Sequence, residues 1–242
     1  MIIEKIKIHS MKSLYKISIA VLFIASIILP HQDALAGNKD RSGQAGASEL
    51  LINPWARTSG WGNAGSATVT GLEAIFGNVG GLAQTKGLDV GLTYTNYLSA
   101  ADIGIYSFGL ATQVGESGAF GLSIMSLNYG TIDRTTTTQP EGGAGTYTPS
   151  SININLAYAK SFSSSIHGGL VVKIISESTS DVSAQGLAID AGIQYITGPN
   201  DNFKLGVALK NIGTPMTYSG DGISVKSFLP GQANAFTTEW RG

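Results

Sequence analysis

The chain has 242 residues, no cysteine, a formal net charge of −1 and only 13% charged residues, about half the usual share. That length suits one domain, or at most two. No disulfide can stabilise it, and the absence of any Lys/Arg-rich run excludes nucleic acid as its principal partner.

Residues 1–36 read as a secretory signal peptide. Lys12 and Lys16 supply a basic start, and Ile17 to Leu29 an apolar stretch that Pro30 ends. Ala34-Leu35-Ala36 is an A-x-A cleavage site, which makes Gly37 the first mature residue. The apolar stretch is too short for a membrane helix, which needs about 20 residues. Removing the segment takes away four lysines against Glu4 and Asp33, so the formal charge falls from −1 to −3. No later run is long enough to span a bilayer as a helix, so a membrane-spanning mature chain must do so as a barrel.

Residues 37–49 are small, polar and charged, and are expected to form an arm. Residues 50–87 mix apolar residues with glycine, and 67–76 can hold a short helix with Leu72, Ile75 and Phe76 on one side. From Leu88 the hydrophobic pattern has period two. In the clearest strand, Leu187, Ile189, Ala191, Ile193 and Tyr195 alternate with Gly186, Ala188, Asp190, Gly192 and Gln194. Similar alternation predicts strands at 88–95, 152–159 and 203–210, with less regular ones at 103–113, 119–130 and 166–176. Weaker patterns at 223–229 and 233–240 would raise the count from seven to nine. Turns rich in Gly, Pro, Asn and Ser fall at 115–118, 161–165 and 198–202, whereas 131–149 and 177–184 read as longer polar loops.

A soluble sandwich and a membrane barrel share this periodicity. Three features favour the barrel: a polar face rich in Gly, Ala, Ser and Thr, a low charge content, and aromatic residues near strand ends (Tyr94, Tyr129, Tyr158, Tyr195). The expected fold is therefore all-β, an antiparallel transmembrane β-barrel with a short helical N-terminal segment. A soluble adhesin-like sandwich is the competing architecture.

Little in the sequence suggests catalysis. Gly60-Trp61-Gly62-Asn63-Ala64-Gly65 matches a dinucleotide fingerprint but lacks the βαβ unit that motif needs, so it reads as a glycine-rich turn. His167 is the only histidine after residue 36 and is expected at the surface or rim; with no cysteine, the common zinc sites are excluded. Asp133 with Glu141, and Glu177 with Asp181, have the residue types of glycosidase carboxylate pairs but lie in polar segments and read as solvated charge. Asp190, Gln194, Lys204 and Lys210 are expected to form a structural network on the polar face. The expectation is a protein without cofactor, metal or catalytic residues.

Gly46 to Arg57, followed by Gly60-Trp61-Gly62-Asn63-Ala64, resembles the mature N-terminus of the PorV/PorQ family, outer-membrane proteins of the type IX secretion system of Bacteroidetes. Gln139-Pro140-Glu141-Gly142-Gly143, Val182 to Gly192, and Leu209-Lys210-Asn211-Ile212-Gly213 look like further stretches of that family. The pattern departs at Asn78-Val79-Gly80-Gly81-Leu82, where FadL-like members often carry Asn-Pro-Ala-Gly-Leu. The resemblance implies a FadL-like barrel in the outer membrane. It would bind secreted cargo proteins and other secretion-system proteins, and pass the cargo to the cell-surface attachment machinery. It also implies more strands than seven to nine, so the C-terminal part of the barrel is expected to be missing. A FadL-like transporter of a hydrophobic small molecule is the alternative. The partner-binding surface is expected in loop 131–149, at Thr135, Thr138, Gly142, Gly143 and Tyr147.

Overall fold

The computed structural model describes residues 46–227 and 236–239. The signal segment, with Ala34, Ala36 and Gly37, lies outside the described residues, as does part of the region where the eighth and ninth strands are expected.

Seven long strands form one antiparallel sheet: β1 (Leu88–Leu98), β2 (Ile103–Val114), β3 (Gly118–Asn128), β6 (Ser150–Ser161), β7 (Ile166–Thr179), β8 (Val182–Thr197) and β9 (Phe203–Gly213). They are neighbours in chain order, a plain up-and-down meander. Two small ribbons join β4 (Ile132–Asp133) to β5 (Thr146–Tyr147) and β10 (Ser224–Ser227) to β11 (Phe236–Glu239). Among the described residues β1 and β9 are the sheet's two edges and do not pair with each other. All seven expected strands are present and the protein is all-β. No helix among the described residues is long and apolar enough to cross a membrane.

The two faces of the sheet are opposite in kind. On one, Leu187, Ile189 and Ile193 are each more than half exposed, together with Leu92, Leu170, Leu205 and Val207. On the other, Ala188, Asp190 and Gln194 are buried. The apolar face is uncovered and the polar, small-residue face is covered, the reverse of a soluble sandwich.

The cover is the chain's own N-terminal segment. It contains 3-10 turns at Ser48–Leu51, Gly71–Ile75 and Val79–Gln84, and a five-residue α-helix at Ala56–Gly60. Leu72, Ile75, Phe76, Val79 and Leu82 are all buried against the sheet, each contributing about 1.5–3 kcal/mol by its removal from water. The wall is shaped to receive them. Gly91 and Gly109 face the Leu72 side chain, Gly121 faces Ile75, and a Cβ at any of the three would press into those side chains.

Two expectations change, and the reading of 60–65 as a glycine-rich turn holds. The segment 177–184 is strand rather than loop: β7 and β8 pair as far as Thr179 and Val182, leaving a turn of Ser180 and Asp181 with Ser180 in the left-handed region (φ 45°). Polar residues at a sheet's rim still have backbone partners, so their polarity does not end the ladder. The helix expected over 67–76 shrinks to the 3-10 turn Gly71–Ile75, started by Gly71 at φ 66° and capped by Leu72 N–H donating to Asp89 Oδ2 at 3.0 Å. The glycine-rich stretch 60–65 is a turn that follows a helix rather than a strand, with Gly62 and Asn63 both left-handed.

Candidate functional site

Three places on the covered side bring polar chemistry together. The first is a clamp between the N-terminal segment and β8. Asn78 caps the turn Val79–Gln84 by accepting from Gly80 N–H at 3.0 Å. Its Nδ2 donates to the carbonyls of Ser66 and Ile193, both at 2.9 Å. Gln194 donates to the carbonyls of Val69 (2.9 Å) and Ser66 (3.1 Å) and accepts from Gln84 Nε2 at 2.7 Å. Both residues are completely buried, and the bonds from Gly80 N–H to Asn78 and from Gln194 to the Val69 carbonyl form away from competing water.

The second is an ion pair built on a bulge. Between Ile189 and Ala191 the register with β9 shifts, so that Lys210 and Asn211 together oppose Asp190. Asn211 takes a left-handed φ of 58°, donates its N–H to Asp190 Oδ1 at 2.7 Å and accepts from Lys173 Nζ at 2.7 Å. Lys173 Nζ also lies 2.7 Å from Asp190 Oδ2. Lys210 points to the N-terminal segment, donating to the Phe76 carbonyl at 2.6 Å. Of the network expected from sequence, Asp190 and Gln194 are buried and Lys210 is bound. Lys204 is exposed and takes no part, and Lys173 occupies its place.

The third lies at the end of the sheet carrying the 131–149 loop. Glu49, buried in the turn Ser48–Leu51, accepts from Ser151 Oγ of β6 at 3.2 Å. Glu177 of β7 stands opposite Ser151 in the β6–β7 ladder, which sets its carboxyl group beside that of Glu49. Burial, then that contact, push Glu49 up to about 7, so its protonated form, able to donate to its neighbour, gives way to the carboxylate only around neutral pH. Glu177 Oε1 is buried and has no hydrogen-bond partner, while Oε2 accepts from the Tyr218 hydroxyl. Tyr218 is pushed up to about 12, first by that bond and then by burial, and Tyr129 is raised by burial and by both carboxylates. A cavity of about 610 Å³ opens beside Glu49, lined by Leu51, Ile52, Tyr97, Leu98, Leu127 and Tyr129. Glu177 is therefore not half of a solvated pair with Asp181. Asp181 instead meets Arg134 at 3.1 Å, and the Ser180 hydroxyl, then that guanidinium, hold its carboxyl below the usual range.

The loop 131–149 is an outlying hairpin. Thr135 and Thr138 are exposed around a tight turn closed between Thr136 and Gln139. Gly142 and Gly143 are left-handed (φ 96° each). Tyr147 is half-buried, with the Arg134 guanidinium 5.9 Å from its ring centre. These five residues share one hairpin. Asp133 and Glu141 in the same loop are exposed. His167 is buried rather than at the surface, its Nδ1 2.8 Å from Ser161 Oγ. Sequence reasoning missed Glu49; its only signal is a lone acidic residue in the apolar stretch Ser48-Glu49-Leu50-Leu51-Ile52.

The geometry defines an antiparallel all-β sheet with an uncovered apolar face and a segment packed on its polar face. No protein-family model and no curated protein matches the chain.

Proposed function

We propose that this chain forms the wall of an outer-membrane β-barrel and acts without catalysis in protein secretion. The observation that carries the barrel is the inversion of the sheet. Apolar side chains such as Leu92 and Ile189 are exposed while Asp190, Lys173 and Gln194 are buried. Lipid can cover the first face, and a polar lumen filled by residues 46–87 accounts for the second. The resemblance of Gly46–Arg57 to the PorV/PorQ family then supports a role in type IX secretion, in which the protein binds secreted cargo and hands it to the attachment machinery.

The experiment is to fractionate cells and follow the protein on gels with and without heating. Retention in the detergent-soluble outer membrane, heat-modifiable migration and a mature N-terminus at Gly37 are expected. Release without detergent would reject the barrel in favour of a soluble sandwich. Loss of surface attachment of secreted proteins on deletion tests the secretion role separately.

The cavity of about 610 Å³ favours a second reading, FadL-like transport of a hydrophobic small molecule. Saturable uptake of an apolar tracer that depends on this protein, with secretion intact in its absence, would select it.

A further inference from the structure

The Glu49–Glu177 contact joins three parts of the chain that are distant in sequence. Glu49 belongs to the N-terminal segment, Ser151 and Glu177 to the wall, and Tyr218 to a strap running from Thr214 to Ser219 beyond β9. The strap follows the edge of β8: Thr214 N–H donates to the Leu187 carbonyl at 2.9 Å, and Ser183 and Ser219 exchange two backbone bonds of 2.9 Å. Met216 of the strap packs on the buried cluster of Leu50, Ile175 and Ala188. The strap thus lies across the turn that carries Glu49, and that turn forms one side of the cavity at the rim.

We propose that Glu49 and Glu177 form a proton-dependent latch, closed while Glu49 donates to Glu177 and released when it ionises, which frees the turn Ser48–Leu51 and the strap and opens the rim cavity. With the proton in place, every oxygen of the pair has a partner: Ser151 and Tyr218 donate from either side, and the shared proton serves the buried Glu177 Oε1. Without it, two carboxylates face each other, and a buried oxygen is left with neither proton nor cation. The groups facing the pair are Ser151 from β6, Tyr129 from the end of β3 and Tyr218 from the strap. None is a cation, and among the described residues no Lys or Arg forms an ion pair with either carboxylate. Both tyrosines stay neutral here, because their shifts are upward.

The direction follows from linkage. Glu49 sits at about 7 when the latch is closed, against 4.5 when it is released, so closure is favoured in full below 4.5 and loses that advantage as the pH rises to 7. Within this window the ratio of open to closed should rise by roughly tenfold or more. The latch needs only the fold, so it is independent of the secretion role.

The test uses the full-length protein folded in detergent micelles. The chain lacks cysteine, so an introduced Leu50→Cys reports on the buried side of the turn and Leu51→Cys, 70% exposed in the parent, corrects for the thiol's own titration. The labelling-rate ratio of position 50 to position 51, measured with a thiol reagent that reacts in acid, should rise about tenfold or more between pH 5 and pH 8. Glu177→Gln places an amide donor where the shared proton sits, so the ratio should stay low throughout; Glu49→Gln should do the same and serves if the first variant misfolds. A ratio independent of pH in the parent, or a rise that survives both replacements, would overturn the proposal.

Discussion

Lys173 Nζ and Asp190 Oδ2 lie 2.7 Å apart on adjacent strands, and both side chains are almost wholly buried. Their separation in sequence is small, but the contact depends on the bulge that turns Asn211 inward to bond both partners. Removing one charge leaves the other buried and uncompensated. Lys173→Met is expected to cost about 3–5 kcal/mol in a urea unfolding titration in micelles. Lys173→Met with Asp190→Leu should recover most of that loss. A single-variant cost below about 1 kcal/mol, typical of a surface pair, would show that water reaches the site.

The inverted sheet makes a prediction about faces. In a barrel, Ile189→Arg directs a cation at lipid and should destabilise by about 2–4 kcal/mol near the bilayer midplane. Ala188→Arg, one residue earlier, instead collides with the packed inner side. Cysteines at 189 and 191 in liposomes should resist a water-soluble thiol reagent, and strong labelling at both would reverse the orientation.

Glycines in and beneath the N-terminal segment should be sensitive for a steric reason. A Cβ on Gly81 would collide with the Val69 carbonyl, and one on Gly192 with Asn78 Oδ1. Gly81→Ala and Gly192→Ala are each expected to cost about 1–3 kcal/mol and to expose residues 46–87 to protease. Gly60→Ala, where an added Cβ meets nothing, should change neither. Equal behaviour of all three variants would mean that the segment is not tightly seated.

The hairpin at 131–149 can be tested for partner binding because the wall does not need it. Strands β3 and β6 pair up to Asn128 and Ser150 without it, and its contact with the β7–β8 turn is through Arg134. Replacing residues 135–146 with a short Gly-Ser linker should leave insertion intact and impair cargo delivery. Undiminished delivery by an inserted variant would remove this loop from the mechanism.

The seven strands were legible because each one alternates between two different surroundings, and the alternation survives in residues such as Leu187–Tyr195. Which surroundings each face meets was less legible, since period two is the same in both cases. What distinguishes them is side-chain size. Gly91, Gly109 and Gly121 make sense only against Trp55, Leu72 and Ile75, which lie 19–46 residues away in the sequence. The 3-10 turn Val79–Gln84 escaped because Val79-Gly80-Gly81 has weak helical propensity; Asn78 and packing on the wall hold it instead. Glu49 escaped for a related reason. Its partner Ser151 lies 102 positions along the chain, and local pattern carries no information about such pairs.

Seven strands that reverse at every step leave β1 and β9 running in the same direction. A ring whose neighbours all run opposite ways must hold an even number. Closing this sheet edge to edge would therefore require one parallel seam, whereas an odd number of inserted strands would keep every neighbour antiparallel.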